Sequence, residues 1–151
     1  ADEFLIGKDN RIRVLGAPDG LSQKLLQSIR ALEEKTKHNT GMTLNIALNY
    51  GGREELTQAA RRIAADCVAG KLPPEKINSD VMEQYLYTAS LPELDLMIRP
   101  SGELRLSNFL LWQCAYSEFW FSNINWPDFT PKHLQLALHD YQKRNRRFGG
   151  V

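Results

Sequence analysis

Short apolar runs, each stopped by a turn and followed by a helical segment, govern what this chain can fold into. Residues 11 to 15, RIRVL, alternate as a strand does and end at Gly16. Residues 42 to 48, MTLNIAL, read as a second strand that breaks at Asn49-Tyr50-Gly51-Gly52. A third run, Leu94 to Ile98, is interrupted only by Asp95 and delivers Arg99 at its end. Between the first two, Ser22 can cap a helix to about Lys37, with Leu25, Leu26, Ile29 and Leu32 at helical spacing. Asn39 to Gly41 stops it. A second helix is expected from Arg53 to about Ala69, and a short one, capped by Ser79, to about Tyr87. Asn108 to Tyr116 reads as helical and Phe119 to Phe121 as an aromatic strand. After a turn bracketed by Pro127 and Pro131, a last helix runs from Lys132 to about Arg144. Strands alternating with helices predict an α/β fold with a parallel sheet flanked by helices. Three or four strands are few for such a sheet, which needs cover on both faces. Further amino-terminal strands, missing from residues 1–151, are therefore expected, with this chain forming the carboxyl-terminal part of a single domain.

The size, 151 residues, suits one domain with a real core. A net charge of +1 gives no electrostatic case for nucleic acid or a membrane surface, so membrane contact is expected to be peripheral at most. Nothing approaches a run of 18 apolar residues. Cys67 and Cys114 share no metal-binding spacing and read as reduced thiols. The chain starts in ADEFLIG, without an initiator methionine or leader, which suggests the later part of a longer polypeptide. A cytoplasmic location is expected, or a plastid if a transit peptide precedes residue 1.

The residues that could carry chemistry cluster after the third strand. Arg99, the Pro100-Ser101-Gly102 turn, Arg105 and Ser107 fall within one short loop. Guanidinium groups hold two phosphate oxygens at once, and open α/β sheets bind ligands at the carboxyl ends of their strands. The loop thus suits a phosphate or diphosphate; the alternative is a solvated loop with salt bridges to Glu93, Asp95 or Glu103. Glu118, among Tyr116, Phe119, Trp120 and Phe121, needs either an arginine partner or a divalent cation completed by substrate phosphates. Asn49 to Arg53 is either a tight turn or an anion site at a helix start. Arg147-Phe148-Gly149 is either a solvated tail or a phosphate contact. His38, His133 and His139 have no ligand spacing, and no nucleophile–base arrangement is present.

At TLNIALNYGGREEL (43 to 56), DLMIRPSGELRLSNFLLWQCAYSEFWF (95 to 121), WPDF (126 to 129) and RRFGG (146 to 150), the sequence resembles the cis-prenyltransferases, the undecaprenyl diphosphate synthase family. The resemblance is to the carboxyl-terminal portion of a family member. It implies an enzyme, usually a homodimer, that condenses isopentenyl diphosphate with an allylic diphosphate to make a cis-polyprenyl diphosphate. By that resemblance Arg99, Arg105, Leu106 and Ser107 hold the isopentenyl diphosphate, and Glu118 helps bind Mg2+ there. It also implies that Arg147 and Gly149 reach a partner's active site, and that Met42 and Leu44 help line a product tunnel. Two family motifs are absent from these residues: the aspartate-glycine-asparagine-glycine-arginine loop and the later Ser-Glu-Asn-Trp type motif. The chain by itself is therefore expected to be inactive. A noncatalytic partner subunit is the alternative, less favoured because Arg99, Arg105, Ser107 and Glu118 are all retained.

Overall fold

A computed structural model of the chain describes residues 9–144. Two compact units divide between Ser90 and Leu91. In the first, strand β1 (Arg11–Leu15) is followed by helix α1 (Gln23–Thr36), strand β2 (Thr43–Ala47), helix α2 (Gly52–Val68) and helix α3 (Ser79–Tyr85). β1 and β2 pair in parallel, from Arg11 opposite Thr43 to Leu15 opposite Ala47. The second unit holds strand β3 (Leu96–Arg99), strand β4 (Glu118–Phe121) and helix α4 (Pro131–Gln142). Its two strands are also parallel, with Leu96 opposite Glu118 and Arg99 opposite Phe121.

The α/β architecture with parallel pairing is as expected, and most element bounds fall within two residues of those read above. Ser22 does cap α1, accepting from the Leu25 amide. Three expectations need correction. Asn78, not Ser79, caps α3, because its side chain reaches the Val81 amide while Ser79 is already helical. The third strand begins at Leu96 rather than Leu94. Asn108 to Tyr116 is not an α-helix. Asn108 and Leu110 have left-handed backbone (φ of 64° and 46°), and only Gln113–Tyr116 coils, as a 3-10 turn. Left-handed residues cost roughly 1–2 kcal/mol each and cannot propagate a right-handed helix.

In the first unit Ile12, Leu15, Ala59, Ile63 and Leu86 are buried, and in the second Met97, Cys114 and Ala137. Two turns at the carboxyl ends of β1 and β2 are bonded to each other. Asn49, itself left-handed at φ 50°, gives its side-chain amide to the carbonyls of Ala17 and Asp19 at 3.0 and 2.9 Å. Behind them Glu55 is 1% exposed, an acid inside a protein core. It accepts from the Tyr50 hydroxyl and from the Tyr87 amide, the latter at 2.8 Å. Burial of a carboxylate is tolerated only with such bonds. This residue ties the start of α2 to the segment after α3.

Candidate functional site

β3 ends at Arg99, and the chain then turns through Ser101 and Gly102, both left-handed with φ of 69°. Their amides are held by Ile124 and Ser122 carbonyls at 2.8 Å each, and Ser122 in turn donates to the Arg99 carbonyl at 3.1 Å. The turn is thereby fixed to the segment after β4. Ser107 and Asn108 are left-handed as well, at 49° and 64°. Four non-glycine residues in this conformation within ten positions, Leu110 included, mark a loop whose shape is imposed by its surroundings.

The loop closes over a cavity of about 110 Å³ lined by Arg99, Arg105 and Leu106 above Met97, Phe119 and Phe121. The strand register explains the apolar floor. Met97 pairs with Phe119 and Arg99 with Phe121, so all four side chains leave one face of the ribbon. Phe119 and Phe121 stack, with centroids 5.8 Å apart. The Nε of Arg99 is buried and has no hydrogen-bond partner among the described residues. Arg105 is two-thirds exposed (67%) and its guanidinium pairs with Glu103. The salt bridge to Glu103 foreseen for a solvated loop is therefore present, yet it coexists with the shared cavity. Ser107 is exposed in the same loop and is not among the lining residues.

Glu118 lies elsewhere. It is the first residue of β4, three positions before Phe121, the partner of Arg99. That is about 10 Å along the strand, and an odd offset puts its side chain on the opposite face. There it accepts from Arg144 Nη1 at 2.9 Å, and the same nitrogen reaches the Phe119 carbonyl at 2.7 Å. On the same face Trp120 donates to Asp140 of α4 at 3.0 Å. Of the two partners open to Glu118, the structure shows the arginine. Among the described residues no group of three or more His, Cys, Asp and Glu side chains is placed to hold a metal. Glu118 is thus engaged by Arg144, on the face of β4 opposite Arg99.

The chain turns at Asn49 and Tyr50 into α2, with Gly51 as its N-cap and no side-chain cap bond. Met42 precedes β2 and is 65% exposed, while Leu44 is half-buried within it. Arg147 and Gly149 lie outside the described residues. Sequence reasoning passed over Glu55 and did not assign Phe119 and Phe121 to the floor. The alternation of β4 would have signalled the latter only with its register known. Cys67 and Cys114 are free thiols, and burial pushes the Cys114 thiol up from its usual range. Among the described residues no helix is long and apolar enough to cross a membrane.

The family model for undecaprenyl diphosphate synthases matches residues 2–149. The isoprenyl transferase of Clostridium perfringens is 52% identical over 141 residues, covering 93% of this chain and 56% of that protein. That of Bacillus thuringiensis subsp. konkukian is 48% identical over 147 residues, covering 97% and 57%. A solved lavandulyl diphosphate synthase from Lavandula x intermedia, in complex with dimethylallyl diphosphate, superposes with a TM-score of 0.93 at 38% identity. That match covers 99% of this chain and 64% of the synthase. The chain belongs to the undecaprenyl diphosphate synthase family. It spans a little over half the length of the curated relatives it matches.

Proposed function

We propose that this chain supplies the isopentenyl diphosphate site of a cis-prenyl transferase, with Arg99 and Arg105 gripping the diphosphate. The observation that carries this reading is the buried, unpartnered Nε of Arg99 in a cavity shared with Arg105. An unmet buried donor costs about 1–3 kcal/mol, and an anion in the cavity would meet it. The floor of Met97, Phe119 and Phe121 suits a short hydrocarbon attached to that anion. Leu106 adds an apolar wall, and Ser107, next in the loop, is the hydroxyl that could follow the anion. Family membership and relatives named isoprenyl transferase support the same chemistry.

In such a reaction an allylic diphosphate ionises, the homoallylic double bond attacks the cation, and a proton is lost. Arg99 and Arg105 would hold the nucleophile still while this happens, which removes most of the entropic cost of the encounter. Glu103, paired to Arg105, fixes the direction of that guanidinium. Glu118, the carboxylate expected to bind Mg2+, is engaged by Arg144 on the other face of β4. The retained pair of arginines over a cavity favours this reading over that of a noncatalytic subunit. A homodimer, with Arg147 and Gly149 shared between copies, is part of the proposal.

Calorimetry with pyrophosphate and with isopentenyl diphosphate in magnesium-free buffer tests it. Isopentenyl diphosphate should bind the more tightly. Arg99→Ala should weaken both by roughly tenfold or more, the loss of charged hydrogen bonds of about 1.5–3 kcal/mol. Arg99→Lys should recover little, because a lysine lacks the two-pronged donor geometry. Equal affinity in the parent chain and Arg99→Ala would remove the clamp.

A further inference from the structure

The start of α4 is held by a bond that only one protonation state of a histidine can make. Thr130 is the N-cap, with extended backbone (φ −109°, ψ 167°), and Pro131 opens the helix. The Thr130 amide donates to Nδ1 of His133 at 3.0 Å, and the Thr130 hydroxyl lies 3.2 Å from the same nitrogen. In return the His133 amide donates to the Thr130 carbonyl at 2.9 Å. A side chain that reaches back from this position to the N-cap amide is ordinarily Glu or Gln. Here it is an imidazole. The half-buried ring lies against Phe129, with centroids 5.7 Å apart, and Phe129 stacks on Trp126 at 5.4 Å.

A neutral imidazole has one acceptor nitrogen, and an amide aimed at Nδ1 uses its lone pair. The proton of the neutral ring therefore sits on Nε2. Once charged, the ring carries a donor at both nitrogens, and the Thr130 N–H faces another N–H. The Thr130 hydroxyl can turn to accept from Nδ1, but the amide is left without its partner. The positive end of the helix dipole opposes the new charge as well. Phe129 receives a cation as readily as a neutral ring, so the bond and the dipole decide. The charged groups around this end are Asp128 on the preceding turn, Lys132 and Asp140 on α4, and Glu118 on the α4 side of β4. Asp140 accepts from Trp120 and Glu118 from Arg144, and among the described residues none of the four forms an ion pair with His133.

We propose that His133 is an acid-released latch on the first turn of α4, closed while its imidazole is neutral and opened by protonation. The latch is closed above the ordinary imidazole range, about pH 6.5, and is lost as pH falls through that range. The far end of the helix does not share in this. Arg144 keeps its bonds to Glu118 and to the Phe119 carbonyl, because a guanidinium stays charged throughout. Mild acid thus loosens the start of α4 and leaves its end pinned to β4. Neither the diphosphate clamp nor the catalysed reaction is assumed.

NMR of the chain between pH 8 and pH 5 tests the latch. Imidazole nitrogen spectra at pH 8 should show His133 protonated on Nε2. Amide protection at Thr130, with exchange corrected for its intrinsic pH dependence, should fall roughly five- to tenfold as His133 titrates, the loss of one helix cap. Leu134, whose amide also reaches the Thr130 carbonyl, should follow, while Lys143 and Arg144 at the other end keep their protection. His133→Gln supplies an acceptor that does not titrate, so Thr130 should stay protected down to pH 5. His133→Ala should leave it unprotected at both extremes. His38 and His139, which bond no backbone amide among the described residues, are internal references. A proton on Nδ1 at pH 8 overturns the proposal. So does a Thr130 amide that ignores the His133 titration, or one that responds to pH equally in His133→Gln. None of these readouts involves a diphosphate, so failure of the latch and failure of the clamp are separable.

Discussion

At the scale of single residues, Gly16 carries the sharpest constraint in the first unit. Its φ is +142°, and a Cβ there would meet the Leu48 carbonyl oxygen at 1.9 Å. The neighbouring Ala17 amide is bonded to the Asn49 carbonyl at 3.2 Å, so the backbone has no freedom to retreat. Gly16→Ala should cost at least about 3 kcal/mol, read as a drop in urea midpoint with an unchanged slope. Gly20, also at positive φ but with nothing within 4 Å, should cost only the backbone strain of about 1–2 kcal/mol when made alanine. Similar losses at the two sites would show that the close approach to Leu48 does not exist. From the sequence, a glycine closing RIRVL is an expected strand stop. That it must be glycine depends on how near another strand end comes, which local pattern does not carry.

At the scale of elements, what was legible follows the same division. Strand and helix existence came through, because apolar spacing and caps are local. Arg99 and Arg105 were legible as a pair because a strand end and its own loop bring them together. Glu118 was not, because its position depends on the pairing of β3 with β4 across an intervening loop. One face of β4 serves the cavity through Phe119 and Phe121, and the other serves α4 through Glu118 and Trp120. The Asn108 to Tyr116 segment failed as a helix for a related reason: the loop's shape is set by the strand ends it joins, and propensity yields. Arg144, bonded to both Glu118 and the Phe119 carbonyl, pins the end of α4 to β4. Arg144→Ala and Glu118→Gln should each destabilise the chain by about 1 kcal/mol, since the pair is partly exposed and solvent screens it. Both should leave pyrophosphate affinity in magnesium-containing buffer where it was. A tenfold loss in Glu118→Gln would return that carboxylate to the diphosphate site.

At the scale of the whole molecule, acid and alkali should both erode stability, and one contact links the two flanks. The hydrogen bond from the Tyr85 hydroxyl holds the Asp66 carboxyl below its ordinary range, with the nearby Lys71 and Arg62 charges acting the same way. The same bond, with burial and the Asp66 charge, pushes the Tyr85 hydroxyl up. Glu34 is likewise lowered, first by its bond to Lys37. A carboxyl lowered by folding stabilises above its unfolded pKa, roughly pH 4, and that contribution disappears as pH falls through the folded value. A phenol raised by folding stabilises below its unfolded pKa, roughly pH 10, and the contribution disappears as pH climbs through the folded value. Stability should therefore be flat across neutral pH and fall on both sides. Tyr85→Phe removes the shared bond, so thermal melts across the pH range should show a lower plateau and a shallower decline on both flanks. Glu34→Gln should soften the acid flank alone. Acid and alkaline slopes in Tyr85→Phe that match those of the parent chain would mean that this bond does not link folding to protonation.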